Sequence, residues 1–475
     1  MRIIRSIFAL AFLIAAPAAA QRAASDTLPR DTSVVIGKLP NGLTYYVRRN
    51  AEPPHRAELR LVVNAGSILE DADQRGLAHV VEHMAFNGTR RFAGQQLVRF
   101  LEGVGMRFGP DVNAYTSFDE TVYMLTLPTD TAGVLGKGLD ILEDWATAIT
   151  FDTAEVRRER GVVIEEWRLG RGVGARIRDK QFPVLFAGSR YARRLPIGDP
   201  DVVRNAPVET IRRFYRDWYR PDLMAVVAVG DFDPRQVEAM IRERFGRIPP
   251  RAPFPRRTTA RVPAHGGTRY NVATDREATG TTVEVVRTVP ARIRRTAALY
   301  RESIVESLAA SMLDRRMSDI TQRPGAPFLD VSTYRGSLVR STDAYFLSAR
   351  VPDGGAARGL AAVLAESERA ARFGFTQPEL DRARAELMRQ WEQIYAERTK
   401  ETSADYAGRY VGHYLYRGAL LSTTTEYGLN RDLLPGIRLA EVNAAARRAF
   451  APTGRSILVV APDTTPVPSE RRLAV

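Results

Sequence analysis

The chain has 475 residues, of which 44% are hydrophobic and 26% charged, so it is long enough for two or three hydrophobic cores and has the composition of a folded globular protein. Its formal net charge is +14, and it contains no cysteine. The absence of cysteine excludes disulfides, thiolate metal ligands and cysteine nucleophiles, so a metal would have to be held by histidines and carboxylates.

The N-terminal residues have the pattern of an export signal. Arg2 and Arg5 precede an apolar stretch from Ile7 to Ala16, and Ala18-Ala19-Ala20 forms an A-x-A cleavage site. A buried helix is the alternative interpretation, but the stretch has no polar face. We therefore expect residues 1–20 to be a signal peptide and the mature protein to be periplasmic or secreted. No cysteine follows the cleavage site to carry a lipid, and no later apolar run is long enough for a transmembrane anchor.

Strand and helix patterns then follow in groups. Residues 34–50 are typical of two strands around a tight turn at Asn41-Gly42, and residues 58–66 and 111–128 carry further strand signals. Helices are expected at 76–86, at 94–103 and from Thr153 onward, where Asp152 can cap the first turn. Residues 223–233 indicate a buried strand, followed by a short helix at 234–245.

A segment rich in proline and arginine, residues 249–268, separates two halves that resemble each other and is predicted to be a linker. An amphipathic helix with an Arg-Arg pair followed by an apolar strand occurs at 208–233 and again at 442–463. The second half also contains a long helical stretch from Thr376 to about Tyr416. We therefore predict an α+β fold of two related α/β-sandwich domains, with mixed sheets and packed helices, at 30–248 and 269–465.

The motif HVVEH, from His79 to His83, is the strongest chemical signal in the chain, which has only five histidines. On a helix, residues four apart point the same way, so both imidazoles can reach one ion. Glu82 lies at the edge of the same face, where it can accept a proton from water activated by zinc and pass it to a leaving amine. The alternative is a helix with two incidental histidines, but the inverted H-x-x-E-H order is a zinc-peptidase signature.

Two histidines leave a zinc site incomplete, so a third protein ligand is needed. The helix that begins near Thr153 offers Glu159 and Glu166, which lie seven positions apart and project from one face. Glu165 is rotated by about 100 degrees from Glu166 and should point elsewhere. Taken alone, either glutamate is better explained as a solvated surface charge.

Three segments resemble the pitrilysin/insulinase family of zinc peptidases, the inverzincins: GLAHVVEHMAFNGT, VNAYTSFDETVY and RRERGVVIEEW. Within that family they are most similar to the periplasmic insulinase-like members. The resemblance covers most of residues 33–233 with specific motifs and the second half only loosely. It implies one zinc per chain, with His79 and His83 as ligands and Glu82 as the catalytic base. It also implies Glu166 as the third ligand and Glu159 as a supporting residue.

The family also uses an edge strand to hold the backbone of the substrate, and the matching segment here is Asn113-Ala114-Tyr115. An exposed strand edge can pair with an extended peptide of almost any sequence. The resemblance therefore implies a substrate-binding role for these three residues, with Asn113 as a hydrogen-bonding side chain. From composition alone, an ordinary sheet strand without a substrate-binding role is at least as good an interpretation of this segment.

Family enzymes complete the site with an arginine and, seven residues later, a tyrosine from the other half of the enzyme, which stabilise the oxyanion and bind the substrate carbonyl. The matching segment here places Thr321 at the arginine position and Phe328 at the tyrosine position, and neither can replace the expected residue. Either a second chain supplies the pair, or this chain is the catalytic half of a longer four-domain ancestor. Because members are built from four such domains and this chain has two, the resemblance implies a partner. A homodimer would still lack the pair, so a second insulinase-family chain that supplies it is the favoured partner.

The sequence therefore predicts a zinc metalloendopeptidase that acts on peptides or unfolded polypeptides and needs a partner half. The alternative is a non-catalytic subunit that binds peptides or supports assembly, which the missing Arg/Tyr pair favours. Nucleic-acid binding is not expected despite the basic charge, because arginines are scattered and no zinc-finger, RRM or KH signature is present.

Overall fold

The computed structural model describes residues 27–252 and 255–474, so the expected signal peptide lies outside the described residues. Within this part of the chain, the first half forms a six-stranded mixed sheet in the order β1-β2-β6-β3-β5-β4. Its strands are β1 (Val35–Lys38), β2 (Thr44–Arg49), β3 (Arg56–Val63), β4 (Val112–Thr116), β5 (Thr121–Pro128) and β6 (Met224–Gly230). Strand β4 is therefore an edge strand.

The second half forms a five-stranded sheet in the order β7-β11-β8-β10-β9. Its strands are β7 (Thr268–Asp275), β8 (Thr281–Pro290), β9 (Asp330–Val339), β10 (Thr342–Val351) and β11 (Arg455–Pro462).

Apart from the additional strand β1, the first sheet has the same strand order and directions as the second. Strand β6 lies between β2, to which it is parallel, and β3, to which it is antiparallel; β11 has the same relation to β7 and β8. Each of these central strands follows a helix, as the internal repeat predicted. The two-domain α+β fold with mixed sheets is confirmed, while the domain limits proposed above stay predictions.

The helices of the first half pack with its sheet around one hydrophobic core. They are α1 (Leu77–Met84), α2 (Gln96–Gly103), α3 (Val134–Thr147), α4 (Thr153–Leu169), α5 (Val173–Leu185), α6 (Pro200–Asn205), α7 (Val208–Trp218) and α8 (Pro234–Phe245). Those of the second half are α9 (Ala297–Thr321), α10 (Ala356–Phe373), α11 (Gln377–Ala396), α12 (Ser403–Tyr416), α13 (Thr423–Leu433), α14 (Leu439–Ala449) and α15 (Glu470–Leu473). None of the helices within the described residues is both long and apolar enough to cross a lipid bilayer.

The long helical stretch predicted from Thr376 to about Tyr416 is divided into two α-helices. Helix α11 begins with the Thr376/Glu379 capping box, as its sequence indicates, but ends at Ala396. A second capping box, between Thr402 and Asp405, then starts α12. The break is compensated because the Thr402 hydroxyl accepts a hydrogen bond from the backbone N–H of Asp405, a donor that the start of α12 would otherwise leave unpaired.

The break lets α12 pack across the face of the first sheet that its own helices leave open. Tyr410 stacks on Tyr46 of β2 with ring centroids 5.7 Å apart, and the Tyr46 hydroxyl lies 2.8 Å from Nδ1 of His413. In return, α5 of the first half packs against β7, where the Arg176 guanidinium forms an ion pair with Asp275. Arg176 holds the pKa of Asp275 well below its usual range. Each sheet is thus covered in part by a helix from the other half of the chain.

Two buried ion pairs connect the β4–β5 loop to later parts of the chain. Arg257 contacts Asp119 at 3.1 Å. Arg340, at the β9–β10 turn, contacts Glu120 at 2.6 Å and donates a further hydrogen bond to Asn64. Burial raises the pKa of Glu120, and Arg340 opposes this by stabilising the carboxylate. The second half is therefore fixed to the loop that directly follows β4.

Replacing Arg340 with methionine should lower the free energy of unfolding by about 3 kcal/mol, because it leaves the buried Glu120 carboxylate without its cation. Urea denaturation followed by circular dichroism measures the change. Arg350→Met is the matched control, because Arg350 pairs with Asp330 on the surface, where the two side chains are 60% and 59% exposed. This control should change stability little. An equal decrease in the free energy of unfolding of the two variants would contradict the conclusion that the Arg340–Glu120 ion pair stabilises the fold.

Candidate metal centre

The start of helix α1 is fixed by a buried carboxylate. Glu70 is fully buried, and its side chain accepts hydrogen bonds from the backbone N–H groups of Gly76 and Ala78. Burial raises the pKa of Glu70 to about 8, although these hydrogen bonds favour its charged form. Gly76 has a φ of 98°, and a Cβ atom there would approach Val203 to 2.8 Å, so a side chain does not fit. The HVVEH segment therefore begins at one defined position.

The structure brings His79, His83 and Glu166 together. The Nε2 atoms of the two histidines are 3.2 Å apart, and Oε2 of Glu166 lies 3.6 Å from Nε2 of His79 and 3.3 Å from Nε2 of His83. Tetrahedral zinc with bonds of ~2.0–2.1 Å holds its ligand atoms ~3.3 Å apart, so these separations fit one zinc ion. Glu165 points elsewhere and pairs with Arg168 at 2.8 Å, as its helical position predicts.

Glu159 lies behind His83. Its Oε1 atom is 2.7 Å from Nδ1 of His83, and its Oε2 atom accepts a hydrogen bond of 2.8 Å from the Asn87 amide. Gln95 in turn donates to the Asn87 carbonyl oxygen at 3.0 Å. With Nδ1 donating to Glu159, the His83 ring is held with Nε2 turned toward His79 and Glu166. Sequence reasoning missed Asn87 and Gln95, although Asn87 lies one helical turn beyond His83.

The charges of the cluster suit a cation. Burial, and the neighbouring His83, lower the pKa of His79, so its imidazole is neutral at pH 7 and can act as a ligand. Burial also opposes charge on His83, but its hydrogen bonds to Glu159 and Glu166 outweigh this and raise its pKa. The hydrogen bond to His83 lowers the pKa of Glu166, which keeps the carboxylate ionised. A divalent cation can therefore replace the proton that this cluster holds.

Glu82 is buried beside the cluster. Only 7% of its surface is exposed, and its Oε2 atom accepts a hydrogen bond of 2.6 Å from the hydroxyl of Thr116. Burial raises the pKa of Glu82, which makes its carboxylate a stronger base. Thr116 is the last residue of β4, so this bond connects the metal-cluster helix to the edge strand. No sequence pattern indicated Thr116 as a partner of Glu82.

Asn113, Ala114 and Tyr115 lie on edge strand β4, whose one neighbour among the described strands is β5. Asn113 and Tyr115 are exposed, and Ala114 is half-buried. The Asn113 side chain accepts a hydrogen bond of 2.8 Å from the backbone N–H of Ala114. A peptide that uses this N–H has to displace the Asn113 carbonyl oxygen.

The two positions aligned with the family's Arg/Tyr pair have structural roles. Thr321 ends α9, where its hydroxyl donates to the Ser318 carbonyl oxygen. Phe328 is fully buried in the core beneath the second sheet. Neither residue supplies a polar group to the metal cluster.

Comparison with known proteins identifies the family. The profile described as Insulinase (Peptidase family M16) matches residues 45–169, and the profile described as Peptidase M16 inactive domain matches residues 205–387. A zinc protease PQQL-like of Arabidopsis thaliana is 36% identical over 414 residues, which are 86% of this chain and 40% of the relative. A probable zinc protease PqqL of Haemophilus influenzae is 31% identical over 461 residues, which are 96% of this chain and 49% of the relative.

A solved structure agrees with these sequence matches. The first half of the periplasmic protease PqqL from Escherichia coli superposes with a TM-score of 0.87 at 27% identity, over 92% of this chain and 93% of that one. The chain therefore belongs to the insulinase (M16) peptidase family, whose zinc proteases use the metal for which this donor set is suited. It spans about half the length of the curated relatives that it matches.

Glu159→Gln is expected to weaken zinc binding about 10- to 100-fold, because it removes the anionic acceptor that orients His83. Glu166→Gln should weaken it further, because it removes a donor to the ion itself. Competition with a chromophoric chelator measures both affinities. Glu165→Gln is the matched control on the same helix and should leave zinc affinity unchanged. If all three variants bind zinc alike, α4 does not contribute to the metal site.

Proposed function

We propose that this chain is a zinc-dependent metalloendopeptidase that hydrolyses peptides or unfolded polypeptides. The observation that carries the proposal is the convergence of three metal-donor atoms from α1 and α4, all within 4.8 Å of one another, beside the buried Glu82 of α1. Strand β4 has an open edge and is joined to Glu82 by the hydrogen bond from Thr116. An open strand edge beside the candidate base supports a polypeptide substrate rather than a small molecule.

In this proposal His79, His83 and Glu166 hold one zinc ion, and Glu159 orients His83. Two neutral imidazoles and one carboxylate are the donor set of hydrolytic zinc sites, which keep a coordination position open. Zinc bound there supplies Lewis acidity that makes water a nucleophile near neutral pH.

Glu82 is proposed to move the protons of the reaction. Thr116 fixes Oε2 of Glu82, which leaves Oε1, without a hydrogen-bond partner among the described residues, to accept a proton from the attacking water. The raised pKa of Glu82 favours that acceptance and the later transfer to the leaving amine.

The substrate is proposed to bind as an additional strand along β4. Backbone hydrogen bonds to Asn113, Ala114 and Tyr115 align a peptide independently of most of its side chains. The Asn113 amide, released from the Ala114 N–H, then becomes available to the substrate. Because β4 ends at Thr116, a peptide aligned in this way passes beside Glu82.

Glu82→Gln should lower kcat for a quenched fluorescent peptide by about 10²- to 10⁴-fold, because the amide cannot accept the proton. Zinc content measured by atomic absorption should remain at one per chain. Glu102→Gln, an exposed position on α2, is the matched control and should keep full activity. A chelator should abolish wild-type activity and added zinc should restore it. Hydrolysis that survives zinc removal would be incompatible with the proposal.

We also propose that the active enzyme needs a second two-domain half, which supplies the arginine and tyrosine that this chain lacks. The support is the share of the relatives that the chain spans and the structural roles of Thr321 and Phe328. Periplasmic location is proposed from the signal pattern and from the E. coli relative, which is described as periplasmic.

Adding a two-domain family chain that lacks H-x-x-E-H but carries the Arg/Tyr spacing should raise kcat about 10²- to 10³-fold, the typical contribution of an oxyanion-stabilising donor. The two chains should also co-elute in size-exclusion chromatography. The control is the same partner with its arginine replaced by alanine, which should co-elute without restoring activity. Equal activity with and without the partner would show that this chain is self-sufficient.

The second candidate is a non-catalytic subunit that binds peptides or supports assembly, and the missing Arg/Tyr pair favours it. The two functions differ in metal content and turnover. A native protein purified without zinc, and inactive with every partner, would favour the subunit. Bound zinc together with partner-dependent turnover would favour the peptidase.

A further inference from the structure

A large cavity adjoins the candidate metal centre. It has a volume of about 1750 Å³ and lies between α4, α5 and the segment from Ala187 to Pro200. Its wall includes the metal donor Glu166 on one side and Phe118, two residues beyond the end of β4, on another. A peptide lying along β4 past the metal cluster therefore leads into this cavity.

The cavity wall is rich in arginine. Six arginines line it: Arg75, Arg171, Arg178, Arg190, Arg193 and Arg194. The carboxylates in the wall are Glu166, which faces the histidines, Asp179 and Asp199. Asp199 pairs with Arg75 at 2.8 Å, and Asp179 pairs with Arg171 at 2.5 Å. Within residues 27–252 and 255–474, the other four arginines have no carboxylate within 4.0 Å.

Two of these four arginines are held close to each other. Arg190 and Arg194 both donate hydrogen bonds to one acceptor, the backbone carbonyl oxygen of Glu70. Burial, and the repulsion from Arg190, lower the pKa of Arg194, as expected for like charges in proximity. The Glu70 carboxylate attracts both arginines, but it lies beyond contact distance and is already bound by the backbone N–H groups of Gly76 and Ala78, so neither guanidinium group has an acidic partner in contact. An anion that enters the cavity gains from both charges and relieves their repulsion.

We infer that this cavity, which we call the arginine cavity, binds carboxylates of the substrate and makes the site selective for acidic peptides. The inference rests on the proposed function, because it assigns a substrate class to the same site. Arginine forms bidentate, charge-assisted hydrogen bonds with carboxylates, so the four unpaired guanidinium groups suit Asp or Glu side chains or a C-terminal carboxylate. In this inference β4 aligns the peptide backbone independently of sequence, and the arginine cavity selects peptides that carry carboxylates.

The test measures peptide binding and cleavage separately. Fluorescence anisotropy with the Glu82→Gln chain compares three labelled peptides of one length: one with internal Asp and Glu and an amidated end, its Asn/Gln counterpart, and that counterpart with a free C-terminal carboxylate. We expect the acidic peptide to bind about tenfold more tightly than the fully neutral one, and the preference to shrink as salt screens the charges. A preference for the third peptide instead would assign the cavity to the C-terminal carboxylate.

The double variant Arg190→Gln/Arg194→Gln should lose the preference for carboxylates while still binding the neutral peptide. Arg382→Gln/Arg389→Gln is the matched control, because it removes two exposed charges of α11 and should keep the preference. Arg190→Lys/Arg194→Lys, which retains the charge, should restore part of the preference lost in the Gln variant.

The inference and the proposed function fail in different ways. Equal binding of the three peptides, or equal loss in both Gln double variants, overturns the inference even if the wild-type chain cleaves them. Selective binding of acidic peptides without cleavage by the wild-type chain, alone or with a partner, supports the arginine cavity and overturns the peptidase proposal.

Discussion

The candidate metal site depends on the contact between α1 and α4. Its donors come from two helices that are far apart in the sequence, and the Glu159 carboxylate joins them by binding both His83 and Asn87. A metal site needs its donors within a few tenths of an ångström of their positions, and side chains on packed helices meet that requirement better than side chains on loops. Glu70 fixes the N-terminal end of α1 and therefore the direction in which the two histidines of this helix point.

The second half of the chain supports this site without contributing to the donor cluster found among the described residues. Arg257 and Arg340 neutralise the buried acids Asp119 and Glu120, and this pair of acids lies in the loop between β4 and β5. Three residues before Asp119, Thr116 donates its hydrogen bond to Glu82. Helix α12 of the second half also packs on the first sheet, and α5 of the first half packs against β7. A movement of one domain relative to the other would therefore disturb both the edge strand and the candidate base.

Local patterns predicted much of this arrangement. The i,i+4 spacing placed His79 and His83 on one face, and the seven-residue spacing together with the family resemblance selected Glu166 rather than Glu165. The buried strand expected at 223–233 contains β6, and the repeated helix–strand unit was found from its pattern. The contacts of Glu70, Thr116 and Asn87 could not be predicted, because each depends on how separate elements pack. The break between α11 and α12 was missed because the gain from covering the first sheet appears only in the folded chain.

The distribution of arginine gives the basic charge of the chain its physical meaning. Many arginines are used internally: Arg340 and Arg257 compensate buried acids, and Arg176 fixes α5 to the second sheet. Such residues raise the net charge without creating a surface for a polyanion, which is the pattern expected of a structural use of arginine. The arginine cavity differs, because its guanidinium groups are brought together beside the candidate metal donors with fewer carboxylates than arginines in its wall. Local imbalance at a site, rather than the total of +14, is therefore the feature from which a ligand can be inferred.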